Sequence, residues 1–84
     1  MVSENEMLEE FSQILRDILL DESIELRMDT KREDVDGWDS FNYVNFIVAV
    51  EVRHGIKFKV SDVEAFQDVG DLVRGAQRLM SADS

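Results

Sequence analysis

Apolar residues at Met7, Leu8, Phe11, Ile14, Leu15, Ile18 and Leu19 recur at helical spacing, and segments of the same period return further along the chain. That period sets the fold class. Ser3 followed by Glu6 fits a capping box, in which a hydroxyl and a carboxylate satisfy free backbone N–H groups at a helix start. A first helix is therefore expected over residues 4–20. Its other side holds Glu6, Glu9, Glu10, Gln13, Arg16 and Asp17, with Glu9/Gln13 and Gln13/Asp17 stacked a turn apart. A second helix is expected over 40–54: Asp39 suits its N-cap, Ser40 begins it, and Gly55 suits the left-handed residue that ends it. Apolar side chains from Phe41 to Val52 spread widely around this helix, which predicts central packing together with an exposed contact surface.

A short third helix is expected from a cap at Ser61 or Asp62 to about 66, and a final one after Asp68, with Leu72, Val73, Ala76, Leu79 and Met80 inward. Gly75 offers room there for close approach. The predicted fold is all-α, a small up-and-down bundle of three main helices plus one short helix. Val44, Phe46, Ile47, Val50, Ile56, Phe66, Val69 and Leu72 are the expected core. Residues 21–39 have no sustained period and read as a long loop with room for one helical turn, tacked to the core by Ile24, Leu26, Met28 and Val35. A loop of this length in a compact domain is normally functional or disordered.

Eighty-four residues suit one domain, 1–84, with a core over about 4–80 and flexible ends. No cysteine is present, which excludes disulfide staples and thiolate metal sites. The net charge of -10 argues against nucleic-acid binding, because phosphate contacts need cations. Residues 1–39 carry thirteen carboxylates against four Lys and Arg, so basic protein surfaces are the natural partners of this half. The longest apolar run, 46–50, is too short for membrane insertion, and no targeting pattern opens the chain; a cytoplasmic protein is expected.

The segment Asp36-Gly37-Trp38-Asp39-Ser40-Phe41 places one hydroxyl where an acidic loop gives way to an apolar helix. A serine at a helix start is commonly just a cap or a solvent-facing residue. As a nucleophile Ser40 would need a neighbouring base. The only histidine, His54, lies fourteen residues on in the same expected helix, roughly 20 Å away. No hydrolytic pair is available within that helix, and no histidine pair or carboxylate spacing points to a metal. What remains is a hydroxyl held out by a rigid element, able to bear a phosphate-linked group.

Asp39-Ser40-Phe41 resembles the Asp-Ser-Leu signature of the acyl carrier protein and peptidyl carrier protein family, with an aromatic residue at the third place. The likeness continues through Gly37-Trp38, through Glu51-Val52-Arg53-His54-Gly55-Ile56 at the end of the second helix, and through Val69-Gly70-Asp71-Leu72-Val73 at the start of the last. It spans roughly residues 4–80. The resemblance implies that Ser40 bears 4'-phosphopantetheine, donated by coenzyme A through a separate magnesium-dependent phosphopantetheinyl transferase to which Asp39 helps present it. The arm's thiol would hold acyl or aminoacyl cargo as a thioester, charged by an acyl- or aminoacyl-activating enzyme and passed to a downstream synthase or transferase of fatty acid, polyketide or nonribosomal peptide biosynthesis. The protein itself would be no enzyme. The resemblance also makes the second helix the recognition element, with Phe41 and Val48 as apolar contacts and Asp36, Asp39 and Glu51 as contacts to Lys or Arg. Asn45 and Val52 stand where the family often has carboxylates, so partner choice would rest more on Trp38, Phe41, Tyr43 and Val48. The rival reading is an unmodified acidic helical adaptor that binds protein through the same helix.

Overall fold

Ser3 starts the first helix as its spacing to Glu6 predicts, its Oγ accepting the Glu6 N–H at 3.2 Å. The computed structural model describes residues 3–82 and contains helices α1 (Glu4–Leu19), α2 (Ser40–His54), α3 (Val60–Ala65) and α4 (Val69–Ala82). No strand occurs among the described residues, so the all-α bundle is the observed architecture. Helix α1 stops one residue before the expected end because Leu20 turns left-handed, at φ 54°, and returns its N–H to the Arg16 carbonyl. Helix α2 begins and ends where the sequence places it, between the Asp39 N-cap and Gly55 at φ 63°. Helix α4 extends through residues 81 and 82, beyond the expected core of about 4–80; residues 83 and 84 lie outside the described residues.

The core forms where three apolar stripes meet: Met7, Phe11 and Leu15 of α1, Phe46 and Val50 of α2, and Leu72, Val73 and Ala76 of α4. Phe11 stands edge-on to Phe46 with centroids 5.7 Å apart, an arrangement that matches ring edge to ring face. Glu10 does not belong to the outer acidic side. Its carboxylate ties α1 to the end of α2, 3.2 Å from Arg53 Nε and 3.0 Å from His54 Nε2, the latter an ion pair when the imidazole is protonated.

The long loop is ordered by polar anchors as well as by Ile24 and Leu26, which are buried as expected. Ser12 Oγ, buried in α1, donates to the Leu8 carbonyl at 2.7 Å and accepts the Leu26 N–H at 2.9 Å. Arg16 Nε donates to the Ile24 carbonyl at 2.7 Å. Farther on, the Thr30 and Met28 carbonyls accept the Val69 and Gly70 N–H groups at 2.8 and 2.7 Å, satisfying donors that the start of α4 leaves free. Asp68 Oδ1 caps the same helix through the Asp71 N–H at 2.9 Å. The Gln67 N–H and then Arg74 hold the Asp71 carboxyl below the usual carboxylate range. The loop's helical turn is a 3-10 turn at Arg32–Asp34.

Two further expectations need correction. Helix α3 starts at Val60 after Lys59, ahead of Ser61 and Asp62, with no side-chain cap and no buried residue. Val44, expected in the core, is 57% exposed, because α2 turns Phe46, Ile47 and Val50 to the bundle and leaves Val44 on the outer side. Beneath α3, Phe58 and Phe66 meet edge to face at 5.6 Å over Gly75, where an added Cβ would come within 3.1 Å of the Phe66 ring.

Candidate functional site

Gly37, at φ 85°, swings the loop so that Trp38 turns inward and Asp39 reaches the start of α2. Asp39 Oδ1 accepts the Asn42 N–H at 2.9 Å, and Asn42 Nδ2 donates to the Gly37 carbonyl at 3.0 Å. This double tie fixes the junction. Ser40 follows as the first residue of α2, exposed, with no hydrogen bond to its hydroxyl among the described residues. Asp36 and Asp39 are exposed beside it.

Ser40 is among the residues lining a cleft of about 860 Å³ between α2, α3 and the Thr30–Glu33 part of the loop. Ile47, Val63 and Leu72 contribute apolar wall, and Val44, Val48 and Val60 border the opening. Tyr43 crosses the cleft to donate its hydroxyl to the Val63 carbonyl at 3.0 Å. Burial raises the Tyr43 phenol above its ordinary range, opposed in part by Arg32, whose guanidinium lies 5.0 Å from the ring centre.

The residues expected to meet partners separate into two groups. Phe41, 74% exposed, lies on the outer surface of α2 with Asn45, Val48 and Val52. Trp38 does not: it is 5% exposed, packed edge-on against Phe46 and Tyr43 at centroid distances of 5.2 and 6.0 Å, so it contributes to core and cleft and not to an outer contact surface. Glu51 is half-buried, and its Oε2 accepts the Phe58 N–H at 2.8 Å, tying α2 to the strand of chain that leads into α3. Sequence reasoning missed this tie and the Tyr43–Val63 bond; a lone carboxylate or phenol gives no sign of a backbone partner across a turn. No helix among the described residues is long and apolar enough to cross a membrane.

No family model and no curated protein matches the sequence. A solution NMR structure of a holo acyl carrier protein from Geobacter metallireducens is similar to this one, with a TM-score of 0.83 and 33% sequence identity, over 90% of this chain and 87% of that one. With the same helical fold and this degree of identity over nearly the whole chain, the protein belongs to the acyl carrier protein family and has the role of a carrier.

Proposed function

We propose that this protein carries an acyl or aminoacyl group as a thioester on a 4'-phosphopantetheine arm joined to Ser40, and delivers it to separate biosynthetic enzymes. The observation that carries the reading is an exposed Ser40 hydroxyl, without a hydrogen bond among the described residues, on the first residue of a rigid helix that borders a largely apolar cleft. The similar solved protein is a holo form, which supports a prosthetic group here. The arm supplies the thiol that a chain without cysteine lacks. Asp36 and Asp39 disfavour a loosely held anion near Ser40, so this junction suits a covalent phosphodiester better than reversible phosphate binding.

Asp39 holds the start of α2 and so presents Ser40 to a phosphopantetheinyl transferase. Phe41, Asn45 and Val48 form the docking surface for that enzyme, for the acyl- or aminoacyl-activating enzyme and for a downstream synthase or transferase, with Asp36 and Asp39 at its rim. Glu51 serves mainly to anchor Phe58. Tethering keeps cargo at high effective concentration near each docked active site while docking itself stays weak and reversible.

The test is to incubate the apo-protein with coenzyme A and a broad-specificity phosphopantetheinyl transferase, then to measure intact mass and map peptides. The expected result is one arm's mass at Ser40 and none in Ser40→Ala. A folded protein that gains no mass would instead be an unmodified adaptor.

A further inference from the structure

Leu20 is a bulky apolar residue in a conformation suited to glycine. Its backbone is left-handed, at φ 54° and ψ 45°, and it closes α1 by returning its N–H to the Arg16 carbonyl, which also accepts the Asp21 N–H at 3.1 Å. Glycine takes this conformation without the clash between Cβ and carbonyl oxygen that leucine meets, and asparagine tolerates it. The leucine side chain adds almost nothing to the packing in compensation: it is 90% exposed, the most exposed large apolar residue among those described. Strain that no packing offsets points to a role outside the fold.

The place of Leu20 indicates which role. Helices α1 and α2 run in opposite directions, since Glu10, midway along α1, meets Arg53 and His54 at the end of α2. Leu19, at the end of α1, reaches the loop that opens α2, where a Cβ on Gly37 would stand 3.8 Å from Leu19 Cδ2. Leu20 therefore emerges at the end of the bundle where Ser40 begins α2, as does the exposed Phe41. Asp36 and Asp39 are exposed at this end, and so is Asp21. The Ser23 hydroxyl and then the Ser23 N–H hold the Asp21 carboxyl below the usual carboxylate range, so it stays charged at neutral pH. Apolar side chains set among fixed negative charges are complementary to an apolar pocket bordered by Lys or Arg.

We propose that Leu20 is a contact residue for the enzyme that grafts the arm, a phosphopantetheinyl transferase presenting an apolar pocket bordered by cationic side chains. The inference rests on the carrier reading given above and adds a contact outside α2. In the grafting step the Ser40 hydroxyl oxygen attacks the phosphorus of coenzyme A that bears the pantetheine. A P–O bond forms, adenosine 3',5'-bisphosphate leaves from the pyrophosphate, and the serine proton passes to solvent. The reacting bond is at Ser40 itself, so the enzyme that makes it must cover this end of the bundle. Enzymes that use the thiol meet the far end of a flexible arm and need not reach Leu20.

Leu20→Gly and Leu20→Asn keep the left-handed end of α1 and remove the apolar side chain, so neither is expected to lower the urea midpoint. Modification by coenzyme A and a broad-specificity phosphopantetheinyl transferase is followed by intact mass at a series of apo-protein concentrations. In both variants the KM for apo-protein is expected to rise roughly three- to ten-fold at nearly unchanged kcat, the pattern of a lost docking contact. Leu20→Met, which keeps an apolar chain, is expected to stay close to the unchanged protein. An unchanged KM in the glycine and asparagine forms overturns the proposal. So does a fall in kcat alone, which would assign Leu20 to the seating of Ser40, or a lowered urea midpoint in both forms, which would assign it to the fold. A dimer in sedimentation that Leu20→Gly dissolves overturns it in favour of a second copy of the chain. Absence of any mass gain in the unchanged protein is a distinct result: it removes the carrier reading, and the inference with it.

Discussion

At Gly70 one missing methyl group lets two distant segments touch. Its N–H reaches the Met28 carbonyl at 2.7 Å, and a Cβ at this position would stand 2.7 Å from that same oxygen. Backbone cannot give way as a flexible side chain does, so Gly70→Ala is expected to destabilise the fold by about 1–3 kcal/mol, read as a lower urea midpoint. The sequence shows Gly70 inside a capping arrangement but gives no hint of Met28, because the contact is made across the tertiary structure. Trp38 and Val44 illustrate the same limit at the site. Apolar residues almost encircle α2, so period alone does not choose its inner side; the crossing of α1 at Phe46 does, and it leaves Val44 outside. Ser40, by contrast, was legible, since its place follows from the Asp39 cap and the change from acidic loop to apolar helix.

Among the elements, α3 is the most weakly anchored. It spans six residues, buries none and has no side-chain cap, so its attachment falls to the half-buried Val63, the rings at its two ends and the Tyr43 hydroxyl. Tyr43→Phe keeps the ring and removes the bond to the Val63 carbonyl. The expected loss is about 0.5–1.5 kcal/mol, with faster amide hydrogen exchange in α3 and little change in α1 and α4. A uniform rise in exchange across the bundle would instead assign Tyr43 to the global core. The start of α3 was misread because Ser61 and Asp62 look like caps, whereas Lys59 precedes the helix without capping it by side chain. Helices α1 and α2 were legible to within a residue because each opens on a side chain that bonds a free N–H and closes on a left-handed residue.

Across the whole molecule, cohesion depends on a few polar ties laid over the apolar core. Ser12 and Arg16 hold the loop to α1, the Thr30 and Met28 carbonyls hold it to α4, and Glu10 joins α1 to the end of α2. Glu10→Ala leaves the largely buried His54 ring without its carboxylate neighbour, and the expected destabilisation is about 1–2 kcal/mol, seen as a lower urea midpoint at unchanged slope. An unchanged midpoint would mark Glu10 as an ordinary surface acid. None of these ties has a periodic signature, which is why the bundle could be read from the chain and the seating of its long loop could not. The two phenyl rings that meet above Gly75 have a mechanical consequence. They seat both ends of the short helix on one footing, so lifting it away from α4 would forfeit the edge-to-face contact between the rings and their packing on Gly75 at the same time.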